Sequence, residues 1–560
     1  MQRPSFPCMP DLPPSLSSIV RTGSRLRAAY AEGAGIYRMV PAGVAIPRDL
    51  GELQTLVRLA AAEGVPLIPR GAGSGIPGNT VGEGVIVDLR EAMPRVLAVD
   101  PQHREAVTSA NVTQLELNAE AAAHGLRLPP DPSSARWATL GGMVSTNAAG
   151  ARTVRYGPAR EWVTGLGVVT ADGEAGWLLR SGAPRGVLPD AGPDPGASLE
   201  ALSRFYRDAA PKIRQAAETI AARFPRVRKN TAGYALDRWI TTEEDVDLLV
   251  GAEGTLGFIT TIRWRLAPVP PARSSLKVAL ASLDDLEPAV RALVALEPSA
   301  VELLDRTFLE LVAQAGIGGV PAGPVPEATL LVEFERDTAA AARGAAGDAV
   351  RSLKDLATDV ETALTPDEEH RLWELRHAAS PILARLPVSQ RSMQVIEDGC
   401  VPLPRLGAYV RAIREGAAAA GIPVVIFGHA GDGNVHVNAL PDTTTADWEA
   451  RLAGLYRDVN AAAIRLGGTV SGEHGDGRLR APLLEAQYGS EVMELFRLVK
   501  QSFDPHGILN PGVKLGGAPP LAHLKVGHGA AEIPADIAWA LREIERTGGY
   551  ARSRVTIANP

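Results

Sequence analysis

Cysteine is all but absent: Cys8 and Cys400 are the only two in 560 residues. Two thiols cannot build a CxxC zinc or iron–sulfur cluster or a disulfide framework, so both read as ordinary thiols without a role. Long apolar runs are missing too; no stretch of about 18 residues goes unbroken by polar ones, which predicts a soluble chain without a spanning helix. The start, MQRPSFPCMPDLPPSL, has no basic segment followed by an apolar core. A cytoplasmic protein is therefore expected, with peripheral membrane contact left open. Nor is there a dense Lys/Arg stripe: 57 basic against 64 acidic residues leave a net charge of −7, which argues against nucleic acid as a partner. What the chain does have is size. Its 560 residues exceed what one hydrophobic core usually serves, so two or more domains are expected, each able to bury a whole cofactor.

The pattern along the chain predicts an α+β fold. Leu50 to Glu63 reads as a helix, and Val65 to Pro69 and Val85 to Leu89 read as buried strands around a glycine-rich loop. Val163 to Thr170 is a further strand ending at the turn Ala171-Asp172-Gly173, and Leu199 to Phe224 reads as helical. At Pro268-Val269-Pro270-Pro271 the character changes. Leu276 to Leu280, Asp284 to Leu296 and Leu330 to Phe334 make a fresh strand–helix–strand unit, which places a domain boundary there. A last helix, Asp536 to Arg546, starts on an acidic residue and ends on a basic one.

The loop Pro69-Arg70-Gly71-Ala72-Gly73-Ser74-Gly75-Ile76-Pro77-Gly78-Asn79-Thr80 contains a formal GxGxxG at Gly73, Gly75 and Gly78. A dinucleotide turn must open a helix whose N-terminus meets the pyrophosphate. Here Pro77 interrupts and Val85-Ile86-Val87 continues as a strand, which disfavours NAD. Glycines between two strands can instead turn successive N–H groups inward as a diphosphate cradle. A second stretch of small residues, Pro130-Asp131-Pro132-Ser133-Ser134 and then Thr139 to Gly150, lets backbone pack against a flat ring.

Together with Asn230-Thr231-Ala232-Gly233-Tyr234 and Gly251 to Thr260, these segments resemble the FAD-binding half of the vanillyl-alcohol-oxidase type of flavoprotein, from about Pro41 to Pro268. The resemblance implies an FAD domain of two α+β subdomains. It also implies cofactor contacts from Pro69, Arg70, Gly71, Ala72, Gly73, Ser74, Gly75, Gly78 and Asn79; from Pro130, Asp131, Ser134, Gly141, Gly142, Ser145 and Asn147; and from Glu253, Gly254, Gly257 and Ile259. Superfamily members that tether their flavin often use a His just after the loop glycines, where this chain has Ser74, so non-covalent FAD is implied.

The stretch Phe427-Gly428-His429-Ala430-Gly431-Asp432-Gly433-Asn434-Val435-His436-Val437-Asn438 puts one His before a turn and a second on a strand, with His436 and Asn438 on one side. Ser471-Gly472-Glu473-His474-Gly475-Asp476-Gly477 adds a carboxylate and a third imidazole. Two His and one carboxylate make a three-ligand platform for Zn²⁺, Mn²⁺ or Fe²⁺, zinc first, with open positions that a chelating 2-hydroxy acid can take. A free His suits the base that removes the hydroxyl proton. His103, His124, His370, His377, His506, His523 and His528 lack such company and read as structural.

These residues resemble the C-terminal half of the FAD-linked D-lactate, glycolate and D-2-hydroxyglutarate dehydrogenases. The resemblance implies His429, His436 and Glu473 as metal ligands, His474 as base and Asn438 as a substrate contact. Arg376, in Trp373-Glu374-Leu375-Arg376, becomes the substrate-carboxylate clamp, and Asn510, in the closing Phe503 to Gly512 motif, lies near the flavin. The implied organisation is an FAD-binding domain over 1–270, an α+β substrate and metal-binding cap over 271–478, a returning segment over 479–516 and a tail over 517–560. In dicarboxylate-using relatives a Lys precedes the motif that reads Glu397-Asp398-Gly399 here. Ile396 in its place favours a D-lactate-like monocarboxylate, unless Arg391 compensates.

Without a heme motif or cysteine cluster, electrons must leave to an external quinone, cytochrome, electron-transfer flavoprotein or iron–sulfur subunit, or to oxygen. The tail after about Gly516 resembles a linker that in larger relatives leads to an iron–sulfur domain, or else is a plain helix packed on the FAD domain. A homodimer is left open. Glycolate or D-2-hydroxyglutarate as substrate, and a non-flavin metalloenzyme, are the competing readings; the last leaves the N-terminal glycine pattern unexplained. The related alkyl-glycerone-phosphate synthase type needs a different His-rich motif, which is not found.

Overall fold

The structure, a computed structural model, describes residues 12–182, 192–194, 196–316, 324–377 and 379–559; Cys8 lies outside them. Asp49 caps the helix Leu50–Glu63 by accepting from the Glu52 N–H, and Gly64 ends it at φ 67°. The Val65 N–H then closes back on Ala60 O, so the following strand starts at Leu67 rather than Val65. The first sheet comprises β1 (Val20–Arg21), β2 (Gly43–Ala45), β3 (Leu67–Arg70) and β4 (Val85–Asp88), in the order β1-β2-β4-β3. β4 runs parallel to both of its neighbours and is buried along its whole length, as a strand covered on both faces must be.

Among the described residues, seven further strands lie between residues 97 and 268: β5 (Leu97–Asp100), β6 (Glu105–Ser109), β7 (Leu126–Arg127), β8 (Val163–Val169), β9 (Ala175–Leu179), β10 (Phe258–Arg265) and β11 (Ala267–Pro268). Five of them form an antiparallel sheet in the order β5-β6-β10-β8-β9, and β7 pairs with β11. The helical stretch expected from Leu199 is broken by a π-helical turn at Phe205–Ala209 and a change of direction at Ala216. Pro211, just past the turn, supplies no N–H for the helical ladder.

The third sheet, antiparallel throughout, comprises β12 (Ala272–Leu280), β13 (Ala300–Asp305), β14 (Ala328–Arg336), β15 (Asp359–Ala363), β16 (Gly399–Cys400), β17 (Val424–Gly428) and β18 (Asn434–Ala439). Their order is β15-β12-β14-β13-β17-β18-β16. The helix Leu484–Phe503 leaves this sheet and packs Tyr488, Val492, Phe496 and Val499 into the core of the second.

The tail carries a packed helix. Ala535–Thr547 seats Ile537, Leu541 and Ile544 against Tyr30, Val44, Ile68 and Ile86 of the first sheet region. Each such side chain contributes about 1.5–3 kcal/mol by leaving water. Among the described residues no helix is long and apolar enough to cross a membrane.

Candidate functional site

The three sheets meet around a cleft of about 1520 Å³, part of it open to solvent. One wall is the β3–β4 loop with the Thr139–Gly150 and Glu253–Ile259 segments; the other carries Arg376, Gln394, Glu397, Phe427, His429, His436, Asn438, Glu473 and His474. Backbone and small residues on one wall and ionisable side chains on the other suit a flat cofactor with a polar substrate beside it.

Two observations test the first wall against FAD. Among the described residues the amides of Gly71, Ala72, Gly73, Ser74 and Gly75 donate to no protein acceptor, while Gly73 turns the chain at φ 72°. A row of unspent N–H groups on a left-handed turn is an anion cradle. In addition, Asn79 Oδ1 and Thr80 Oγ1, on residues of the same wall, are buried without partners, although such atoms are nearly always satisfied. The wall fits a group with a diphosphate and polar ring edges.

Of the expected cofactor contacts, Pro69 to Gly75, Asn79, Ser134, Gly141, Gly142, Ser145, Glu253, Gly254, Gly257 and Ile259 line the cleft. Gly78, Pro130, Asp131, Asn147 and Asn510 are not in the lining and stand behind it. Gly78 backs onto the Tyr37 ring, and Pro130 O accepts from Gln114 Nε2 at 2.8 Å. Asp131 holds Arg152 at 2.6 Å, and Asn147 Oδ1 accepts from the Arg160 N–H at 2.9 Å. Asn510 Nδ2 donates to Asn79 O at 2.9 Å and Glu253 O at 2.8 Å, tying two wall segments together. Asn147, Glu253 and Asn510 all sit at positive φ, a local strain of the kind that collects at functional sites.

The opposite wall is built by β17 and β18. His429 follows the end of β17, Gly433 at φ 74° turns the chain, and β18 returns with His436 and Asn438 on one face. Two buried carboxylates hold the Glu473–Gly477 loop: Asp398 accepts from the N–H groups of Glu473 (3.0 Å) and His474 (2.9 Å), and Glu253 from those of Asp476 (2.9 Å) and Gly477 (3.0 Å). The result brings His429 Nε2 to 2.8 Å and His436 Nε2 to 3.2 Å from one atom, Glu473 Oε1. Lys229 Nζ takes the other oxygen, Oε2, at 2.9 Å.

Both imidazoles are oriented from behind, His429 Nδ1 by Glu302 Oε1 at 2.6 Å and His436 Nδ1 by Glu397 O at 3.0 Å. This is the outer-shell support that ligating histidines require. Two nitrogens and one oxygen converging at such distances fit a divalent cation of the zinc or manganese kind. Glu397, His436 and His474 form an overlapping trio, but Glu397 is already paired with Arg480 at 2.9 Å.

His474 stacks on His436 with ring centroids 4.9 Å apart, and its Nδ1 meets Glu397 Oε1 at 2.7 Å. Burial works against charge on His429 and His474, yet the carboxylates beside them win and raise each to about 9. Burial likewise opposes ionisation of Glu302, but His429 and Arg376 hold it down at about 2. Lys229 and His429 overcome the same burial penalty at Glu473 and keep it well below the usual carboxylate range. Without a cation the cluster is thus an alternating array of charges, and a metal must displace a proton from His429.

Arg376 reaches the cleft from the helix Pro366–His377; its Nε donates to Glu302 Oε2 at 2.6 Å and its Cζ lies 5.1 Å from the Phe427 ring centroid. Asn438 Oδ1 accepts from Ser392 Oγ at 2.7 Å. Ile396 is packed in the core of the third sheet and is no part of the lining, where Gln394 stands instead. Arg391 is tied to Glu545 of the tail helix and is absent from the lining too. Glu302, Glu397, Asp398 and Lys229 received no role from sequence reasoning; a lone acid within the apolar run Ala300-Val301-Glu302-Leu303-Leu304 was the available signal for the first. His103, His124, His370, His506, His523 and His528 stay outside the cleft lining, and the side chain of His377 is not among those described.

The mixed α+β architecture, with its glycine-lined cradle in the N-terminal half, is the fold of the vanillyl-alcohol-oxidase type of flavoprotein. p-Cresol methylhydroxylase shares the fold, with a TM-score of 0.63 at 14% identity over 89% of this chain and 94% of that one. The sequence matches the FAD binding domain family over residues 41–178 and the C-terminal domain of FAD linked oxidases over 269–513. It is 30% identical to the glycolate oxidase subunit GlcD of Bacillus subtilis (strain 168), covering 85% of this chain and 89% of the relative. Against a D-lactate dehydrogenase of Archaeoglobus fulgidus identity is 31%, covering 83% and 89%. It is 28% identical to the D-2-hydroxyglutarate dehydrogenase of Pantoea ananatis over 87% of this chain, but spans only 49% of that relative's length. The chain belongs to the FAD-linked oxidase family.

Proposed function

We propose that the chain is an FAD-dependent dehydrogenase that oxidises a small D-2-hydroxy acid, D-lactate-like, to the 2-oxo acid. The observation that carries this reading is the meeting of His429 Nε2, His436 Nε2 and Glu473 Oε1 in the same cleft as the glycine cradle and Arg376. When bound, FAD would supply a hydride acceptor at N5, and a divalent cation the Lewis acidity that makes a chelated hydroxyl more acidic. Arg376 binds the substrate carboxylate, since a guanidinium whose Nε is spent on Glu302 still offers its terminal nitrogens as a fork. Asn438, its Oδ1 held by Ser392, turns its amide N–H to the acid. His474 takes the hydroxyl proton on Nε2, because Glu397 occupies Nδ1; the carboxylates hold His474 charged in the metal-free cluster, and a bound cation would counter them and free that nitrogen.

The relatives named for D-lactate, glycolate and D-2-hydroxyglutarate support the class of acid. Gln394 in the lining, with Arg391 drawn away to Glu545, favours a monocarboxylate. Electrons then leave to an external acceptor: a quinone, a cytochrome, an electron-transfer flavoprotein or an iron–sulfur subunit. The test is anaerobic flavin bleaching by D-lactate, L-lactate, glycolate and D-2-hydroxyglutarate, with and without chelator. Bleaching by a D-acid that chelator abolishes is expected; a flavin spectrum untouched by every acid overturns the reading.

A further inference from the structure

Glu302 lies on β13 with no exposed surface, and the next two residues of that strand, Leu303 and Leu304, pair with Gly428 and Phe427 of β17, directly before His429. Its two oxygens are divided. Oε1 accepts from His429 Nδ1 at 2.6 Å and Oε2 from Arg376 Nε at 2.6 Å. A carboxylate on Nδ1 keeps a ring proton there, so Nε2, 2.8 Å from Glu473 Oε1, is the nitrogen left to a cation that displaces its proton. The same carboxylate on the guanidinium Nε leaves the terminal nitrogens for an incoming acid, and the Phe427 ring covers one face of that plane. One planar group on a buried strand therefore orients two groups that arrive from separate elements, the helix Pro366–His377 and the β17–β18 turn.

We propose that Glu302 is a positioning residue that sets the spacing between the metal-facing edge of His429 and the carboxylate-binding edge of Arg376. It thereby selects acids whose hydroxyl and carboxylate sit on adjacent carbons. This rests on the function proposed above. A 2-hydroxy acid carries its hydroxyl and carboxylate on adjacent carbons and can be met by both edges at once; a 3-hydroxy acid carries its hydroxyl one carbon further away, so a spacing set for the first is wrong for the second. Were Glu302 merely a neutralising charge for its buried neighbours, its loss would lower stability and leave the metal and substrate constants of the folded protein alone.

The experiment uses flavin-loaded protein stripped with chelator and titrated with Mn²⁺, the free ion being followed by its electron paramagnetic resonance, together with kcat and KM for D-lactate. In Glu302→Gln the amide can accept from only one neighbour, and Mn²⁺ affinity should fall about 10–100-fold with KM rising on a similar scale. Arg376→Lys should raise KM alone and leave Mn²⁺ binding unchanged. If Glu302→Gln does not retain flavin, Glu302→Asp, which keeps the charge but shortens the reach, should show the same paired losses at smaller size. Wild-type Mn²⁺ affinity and KM in whichever variant folds, even with a lowered melting temperature, overturn the assignment and leave the proposed function standing. Wild-type protein that neither binds Mn²⁺ nor is bleached by any 2-hydroxy acid overturns both.

Discussion

Replacing His474 by alanine isolates the proposed proton acceptor from the groups around it. The side chain is 28% exposed, so solvent fills the space it leaves. Its partner Glu397 keeps Arg480 at 2.9 Å, so no buried charge is stranded. The stability cost is therefore small, about 1 kcal/mol or less. The contacts among His429, His436 and Glu473 do not pass through His474, so metal and flavin contents should match the wild type. A positioned general base is worth about 10²–10⁴ in rate, or roughly 2.7–5.4 kcal/mol of barrier. The assay is anaerobic stopped-flow bleaching of the flavin at saturating D-lactate, which removes the electron acceptor from the measurement. The bleaching rate should fall by about 10²–10⁴, with partial rescue by added imidazole. A loss under about tenfold in protein with full metal and flavin would refute the base assignment.

Gly73→Val should abolish flavin loading. At φ 72° a branched side chain costs about 1–2 kcal/mol before contacts are counted, and its Cβ would be driven into the Arg70 guanidinium; a normal FAD-to-protein ratio would remove the cradle from this loop. Asp247 is fully buried between Arg160 at 3.0 Å and Arg180 at 2.7 Å. Burial alone would raise its pKa, but the two guanidinium groups hold it at about 2. The stability it contributes is present in full above its unfolded value of about 3.9 and is lost as pH falls toward about 2. Asp247→Asn should cost about 3–5 kcal/mol near neutrality by stranding the buried Arg160 beside the partly exposed Arg180, with less difference from wild type in acid; equal melting temperatures at neutral pH would contradict this. Cys400 is buried with its thiol pushed up by desolvation, so iodoacetamide should leave it unlabelled in native protein and label it after denaturation, as read by mass spectrometry.

Much of the site was legible because its chemistry is local. The glycine run from Gly71 to Gly75 and the two His-bearing loops carry turn residues and donor atoms at short spacing, and the same short segments line the cleft. Element type was legible where pattern and caps agreed, as in Leu50–Glu63 with Asp49 and Gly64 at its ends. It was less so where a π-helical turn and Pro211 cut the helical stretch after Leu199.

The groups that orient the site are another matter. Glu302 stands 127 positions from His429 and Glu397 stands 77 from His474; each reaches its partner through sheet register or a loop clamp, and neither is visible in a window of sequence. The same holds for Asp131, Asn147 and Asn510, which belong to the right segments yet point into the packing behind the cleft wall. Ile396 and Gln394 lie two residues apart, and only the turn of the backbone into the third sheet decides which faces the cleft. By itself, then, the sequence determined the family of the chain and the donors and turns of its two loop systems, because residue type and short spacing carry those. Tertiary structure alone decided which donors meet, which charges hold them and which residues are turned away, because burial and long-range pairing are properties of the packed sheets and not of any one segment.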